Sequence, residues 1–203
     1  GGDWGRGIVE RLGNDPRAVG IHLQFPPGTP PPGADPADVE RWQKRRTELA
    51  DHYGYGAIQG TRPLALGYGL NDSPAGLAAW ILDKFWAWSD HGGDLESKFT
   101  KDDLLTNIMI YWVSETMPSS VRLYYESSHP VQAKPSERPR RTSPVPVGVA
   151  LFPKEIHVPA RKWVEKSYNL VHWTEMPRGG HFAALEEPAL LVEDVRKFFR
   201  PLR

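Results

Sequence analysis

An aspartate stands among glycines at the head of the chain, in Gly1-Gly2-Asp3-Trp4-Gly5. The pattern small-x-acid-x-small has the spacing of a G-x-S-x-G nucleophile elbow, with a carboxylate in place of the hydroxyl. Small residues two before and two after the nucleophile suit a strand-to-helix turn too tight for side chains. Five residues alone read equally well as a flexible glycine-rich segment, so the rest of the chain must decide. A histidine sits in a second glycine-rich setting, Arg178-Gly179-Gly180-His181-Phe182. Two glycines let the backbone turn sharply and present the imidazole above the C-terminal edge of a sheet, where open α/β sheets place ligands. Glu155 comes 26 residues before His181, in Phe152-Pro153-Lys154-Glu155-Ile156-His157, where an orienting acid would stand. A loop histidine or a surface glutamate is usually structural when taken singly. Nucleophile, acid and histidine in this order, each after an expected strand, outweigh those readings together. The other histidines, His22, His52, His91, His129, His157 and His172, are read as structural or surface residues.

An aspartate nucleophile selects a chemistry. Attack on a peptide carbonyl would give an unproductive anhydride, whereas attack on an sp³ carbon bearing a leaving group gives a stable alkyl ester. A histidine oriented by an acid can then activate water against that ester. The backbone N–H of Trp4, the residue after the nucleophile, is one expected oxyanion donor. The second normally comes from an earlier loop, outside this sequence. The leaving group is a halide or an epoxide oxygen. An epoxide oxygen leaves as a basic alkoxide and needs a proton donor, a role open to tyrosine with its pKa of about 10. Tyr53, Tyr55, Tyr68, Tyr111, Tyr124 and Tyr125 are all available, and the eight tryptophans keep a halide site open through their indole N–H groups.

The elements that must position these residues fall into three stretches. Residues 8–12 suit the first turns of a helix after the elbow, and 18–25 read as a short buried strand. Six of the eleven residues from 26 to 36 are proline, which makes an extended connection. A helix then starts at Asp35-Pro36, with Val39, Trp42 and Leu49 on one face through about residue 51. Ser73-Pro74 opens a second helix, striped by Leu77, Trp80, Ile81, Phe85 and Trp88. Thr100 with Asp103 makes a capping box for a third, carrying Leu104, Ile108 and Tyr111. Residues 130–146 hold five prolines and a basic run at 138–141, read as a solvated linker. Strands at 145–152 and 170–174, a helix at 160–166 and a closing helix at 188–200 complete the chain. A β/α start, about a hundred mostly helical residues and a β/α finish describe an α/β core carrying an inserted helical cap.

The composition sets the outer limits. The chain has 203 residues, 39% of them hydrophobic, which is enough for a packed core. Basic and acidic residues number 25 each, so charge offers no case for nucleic acid or an anionic membrane. The longest apolar runs, such as 77–82, fall far short of the roughly 20 residues of a spanning helix, and no signal peptide is visible. Zero cysteines exclude disulfides, thiol catalysis and cysteine-ligated metals, and agree with a cytoplasmic location.

Several blocks resemble the microsomal-type epoxide hydrolases within the α/β-hydrolase superfamily. They are Gly1-Gly2-Asp3-Trp4-Gly5, Tyr55-Gly56-Ala57-Ile58-Gln59 and Leu70-Asn71-Asp72-Ser73-Pro74-Ala75-Gly76-Leu77-Ala78-Ala79. Further along come Leu104-Leu105-Thr106-Asn107-Ile108-Met109-Ile110-Tyr111-Trp112, Ser119-Ser120-Val121-Arg122-Leu123-Tyr124-Tyr125-Glu126 and Arg178-Gly179-Gly180-His181-Phe182-Ala183-Ala184-Leu185-Glu186-Glu187-Pro188. The blocks stand in family order and span nearly the whole chain.

The resemblance implies Asp3 as nucleophile, His181 as general base and Glu155 as orienting acid. It implies Tyr55 and Tyr124 as ring-opening acids, with Tyr125 adjacent to the second. Trp4 would serve the oxyanion pocket. It implies a vicinal diol product from an apolar or aryl epoxide, with no cofactor and no metal. The expected fold is the C-terminal part of an α/β-hydrolase core, at 1–26 and 131–203, around a helical lid at 27–130. Family members carry further core strands and a His-Gly-x-Pro-type oxyanion loop before the elbow. The expected partners are thus a small-molecule epoxide and an N-terminal half of the same enzyme, without nucleic acid or a membrane segment in this chain. A homodimer is compatible with the sequence. The rival readings are a haloalkane-type dehalogenase on the same fold and a non-catalytic fragment.

Overall fold

The computed structural model describes residues 1–129 and 143–202. The basic run at 138–141 lies outside them. Two compact units emerge. The described residues of the first are Gly1–Glu48, Trp88–Asp90 and 143–202, and those of the second are Leu49–Ala87 and 91–129.

The first unit is built on three parallel strands, β1 (Ile21–Leu23), β2 (Val147–Leu151) and β3 (Leu170–Glu175), in the order β1-β2-β3. Every residue of the central strand β2 is buried, as a strand covered on both faces requires. Leu23 pairs with Val149, and Val149 with Trp173, so the three chains run in step toward one edge. Ile21, Leu23, Val147, Val149, Leu151, Val158, Val164 and Tyr168 form its main core. Beyond the strand ends the ladder continues for one more bridge, between Lys154 and Gly180, with the Lys154 N–H donating to the Gly179 carbonyl at 3.1 Å. That bridge sets the loop carrying Glu155 beside the loop carrying His181. Helix α1 (Asp3–Leu12) starts at the aspartate itself, five residues earlier than the apolar pattern suggests, because Ile8 and Leu12 are exposed in this unit and mark no buried stripe.

Helix α2 (Pro36–Glu48) belongs to this first unit, whereas the sequence places it in a lid beginning at 27. The reason is Arg45, the one buried residue of the helix. Its Nε donates to the Glu155 carbonyl at 2.8 Å and an NH₂ to the Lys154 carbonyl at 2.5 Å.

The second unit is helical. It contains α3 (Gly54–Thr61), α4 (Pro63–Asp72), α5 (Pro74–Trp88) up to its last residue, α6 (Lys101–Ser114) and α7 (Met117–Ser128). Thr100 and Asp103 close the capping box that opens α6. Leu70, Leu77, Ile108, Met117 and Val121 form a separate core. Helix α7 packs across α3 and α4. Gly67 of α4 allows that approach, since a Cβ there would come within 3.0 Å of Val121 and 3.2 Å of the Pro118 backbone. The chain returns to the first unit for a short helix α8 (Arg161–Val164), strand β3, a turn of helix α9 (Ala183–Glu186) and the closing helix α10 (Pro188–Phe199).

Candidate active site

Asp3, His181 and Glu155 stand in one line within the first unit. The His181 Nε2 lies 3.2 Å from Asp3 Oδ2, and its Nδ1 lies 2.6 Å from Glu155 Oε1. Asp3 has φ +44°, in the left-handed region that a side-chain-bearing residue enters at a cost of about 1–3 kcal/mol. Neighbouring backbone holds it there. The Gly1 nitrogen donates to the His22 carbonyl at 2.6 Å, the Gln24 N–H to the Gly1 carbonyl at 3.2 Å, and the Arg6 N–H to the Gly2 carbonyl at 3.0 Å. Gly1 therefore runs beside β1 before the chain turns into α1. A Cβ on Gly1 would meet Val9 at 2.7 Å and the Gly5 carbonyl at 2.8 Å, so a small residue is needed there. Gly5 differs from expectation, with nothing within 4 Å of a Cβ among the described residues.

The electrostatics follow from this packing. Burial disfavours the Asp3 carboxylate, but the His181 hydrogen bond and charge, the Trp4 N–H at 2.6 Å and the Arg6 charge outweigh it and hold its pKa below the usual value. The first turn of α1 favours the same anion through its dipole. Burial would lower the pKa of His181. Its hydrogen bonds to Asp3 and Glu155 and their charges win and raise it to about 9. The resting site is an imidazolium between two carboxylates. Phe25, Trp88 and Phe182 meet the imidazole edge-on at 5.6, 5.3 and 5.3 Å, walling it from bulk water. Glu155 is fully buried, and its Oε1 also accepts the Ile156 N–H at 2.7 Å.

This line of Asp3, His181 and Glu155 can be set beside known proteins. No family model matches the chain. A putative epoxide hydrolase of Stigmatella aurantiaca (strain DW4/3-1) is 40% identical over 210 residues, covering 100% of this chain and 46% of that protein. Epoxide hydrolase 1 of Sus scrofa is 48% identical over 154 residues, covering 71% of this chain and 33% of that protein. The crystal structure of juvenile hormone epoxide hydrolase from the silkworm Bombyx mori matches with a TM-score of 0.85 at 29% identity, covering 100% of this chain and 54% of that one. Along its whole length the chain is similar to epoxide hydrolases. Its fold is that of the α/β-hydrolase epoxide hydrolases, and it spans about half the length of the curated relatives it matches.

The second unit brings Tyr55 and Tyr124 together, ring centroids 5.7 Å apart and nearly perpendicular at 80°. Tyr125 turns elsewhere and stacks on His129 at 4.2 Å. Sequence reading missed several residues that bear on the site. Arg45 fastens the backbone on either side of the Lys154–Glu155 peptide. His157 stacks on Phe25 at 5.3 Å, and burial, with the charges of Arg46, Arg6 and His181, lowers its pKa and keeps it neutral. Asp90 and Glu186 bind the backbone of the His181 loop. These roles act on main-chain atoms and leave no spacing to read; for His157, its place two residues after Glu155 was the available signal.

Among the described residues one side-chain cluster has metal-ligand character, His22, His172 and Asp194, with ligand atoms within 4.8 Å of one another. All three are engaged by hydrogen bonds. Asp194 Oδ2 meets His22 Nε2 at 2.7 Å, while Oδ1 meets His172 Nε2 at 2.8 Å and accepts from the Thr174 hydroxyl at 2.6 Å. The cluster is a hub joining β1, β3 and α10.

Proposed function

We propose that the whole protein containing this chain hydrolyses an apolar or aryl epoxide to a vicinal diol through an ester on Asp3. The observation that carries this reading is the unbroken line from Asp3 through His181 to Glu155. An Asp3 oxygen attacks an epoxide carbon and the ring C–O bond breaks. The alkoxide takes a proton from Tyr55 or Tyr124, which leaves a hydroxyalkyl ester and a tyrosinate. Esterification removes the Asp3 charge, so His181 releases its proton to solvent, regaining it once Asp3 is ionised again, and becomes the base for water. Hydroxide adds to the ester carbonyl, and Trp4 N–H, already aimed at Asp3 Oδ1, meets the oxyanion as it forms. Collapse releases the diol, which takes the proton from His181. The acid regenerated at Asp3 returns its proton to the tyrosinate.

The relatives' names as epoxide hydrolases support an epoxide over a halide, as does the pairing of Tyr55 with Tyr124. The remaining core strands and the second oxyanion donor would come from sequence outside these 203 residues, since the relatives are about twice as long. Single turnover of the full-length protein in ¹⁸O water tests the route. The label should enter the peptide containing Asp3 and leave the first diol unlabelled. Label in that first diol would mean direct attack by water and would end the reading.

A further inference from the structure

Four consecutive N–H groups, from Gly179 to Phe182, form the backbone of the loop that carries His181, and each finds an acceptor within the first unit. Gly179 donates to Asp90 Oδ2 at 2.9 Å. Gly180 donates to Glu186. His181 donates to the Trp88 carbonyl at 2.8 Å. Phe182 donates to Glu186 Oε1 at 2.9 Å. The other Glu186 oxygen, Oε2, accepts the Asp90 N–H at 2.7 Å. Glu186 is thus a hub that holds the histidine loop with one oxygen and the 88–90 strap with the other, while Asp90 reaches back to the same loop. Both acids are spent on main-chain donors.

The packing leaves the loop little alternative. A Cβ on Gly180 would lie 2.4 Å from the Trp88 carbonyl oxygen and 2.9 Å from Ser89 Cα, so only glycine lets the strap come this close. Gly179 has φ +103°, a conformation side chains rarely adopt, and a Cβ there would meet Phe152 at 2.8 Å. Glu186 is 7% exposed, and placing a carboxylate there has a cost. Burial and the Asp90 charge push its pKa up against the three N–H groups that hold it. A buried acid facing a second acid is a poor choice for stability alone. It is a good choice where the backbone beneath a reacting imidazole must not drift.

We propose that Glu186, acting with Asp90, is a positioning residue that keeps the His181 imidazole in line between Asp3 and Glu155. This rests on the reading of His181 as the base of ester hydrolysis. The strap is flanked on both sides by chain of the second unit, residue 87 before it and 91 after it. The clamp therefore ties the histidine loop to the point where the chain leaves and re-enters that unit.

The test uses the full-length protein and the variants Glu186→Gln, Asp90→Ala and Asp90→Asn. Gln keeps an acceptor on one side only and turns an NH₂ toward a donor on the other. Asn keeps the acceptor that Gly179 needs. Two readouts are taken: the titration of the His181 imidazole by NMR, and the separate rates of ester formation and ester hydrolysis in rapid-quench single turnovers. Glu186→Gln and Asp90→Ala should lower the imidazole pKa and slow ester hydrolysis about ten- to a hundredfold, as small misplacements of a reacting group do. Ester formation should change little, and Asp90→Asn should behave as the parent. An unchanged titration with unchanged hydrolysis overturns the clamp, and so does equal slowing of both steps. Should Glu186→Gln not be recovered folded, the Ala/Asn pair at position 90 decides alone. A parent protein that forms no ester defeats the functional reading instead, and the titration still judges the clamp.

Discussion

His181 faces a carboxylate on each side, and in the proposed reaction one of them ceases to be a charge. In the resting site both hold its proton, with a pKa of about 9 against an ordinary 6.5. A group raised in this way stabilises the fold fully below pH 6.5, and that contribution fades as pH climbs through 9. Asp3 is shifted the opposite way, so its contribution is present above 3.8 and is lost as pH falls below. The ion pair is whole between these limits. An imidazolium cannot take a proton from water, so the base must be made during turnover. In the proposed route, esterification of Asp3 would do this by withdrawing a hydrogen bond and a charge, leaving burial opposed by Glu155 alone. Asp3→Asn imitates the ester in charge. Its His181 should titrate well below the parent value by imidazole NMR, and a titration still near 9 would show that Asp3 does not govern the base.

Among the elements, the strands and the proline-started or capped helices were legible because their signals are local. The Thr100–Asp103 box, Pro36, Pro74 and the apolar run of β2 all appear where expected. Helices α3 and α4 were not legible. Their glycines at 54, 56, 60, 67 and 69 break up any apolar stripe, and at Gly67 the glycine serves contact with α7. Asp3, Glu155 and His181 could be found by type and chain order, whereas Arg45, Asp90 and Glu186 could not, since any polar side chain can bond a main-chain group. Asp194 is a similar case. It lies on α10 and is 3% exposed, but it looks like one more surface acid in a helix of mixed charge. Burial opposes its ionisation, yet His22, Thr174 and His172 outweigh this and lower its pKa to about 2. Gly148 on β2 leaves room for the arrangement, since a Cβ there would press on Phe198 at 2.7 Å and His22 at 3.1 Å. Asp194→Asn should destabilise the fold by about 1–3 kcal/mol at neutral pH in denaturant melts. A depressed carboxylate contributes above pH 3.8 and loses that contribution as pH falls toward 2, so the difference from the parent should shrink on acidification. An equal deficit at both pH values would mean that the hub acts by shape and not by charge.

For the whole molecule, the proposed chemistry divides between the two units, each with a core of its own. The first holds Asp3, His181 and Glu155, and the second holds the paired tyrosines. Attack on an epoxide needs the nucleophile and a proton donor to the leaving oxygen; hydrolysis of the ester needs the base, the acid and the oxyanion donor. The two steps should therefore fail separately. Tyr55→Phe and Tyr124→Phe should each slow ester formation by about a hundredfold or more, the usual scale for loss of a general acid, and leave hydrolysis of ester already formed near the parent rate. His181→Gln should do the reverse and stop the protein as the Asp3 ester. Tyr125→Phe should change neither step, because that ring is occupied with His129. Eight tryptophans give a fluorescence signal for following both phases in stopped flow. Full-speed ester formation from an epoxide in both the Tyr55 and Tyr124 variants would remove the second unit from the chemistry. A parent protein that instead formed the ester from a haloalkane and ignored epoxides would move the reading to dehalogenation, with Asp3, His181 and Glu155 keeping the same work.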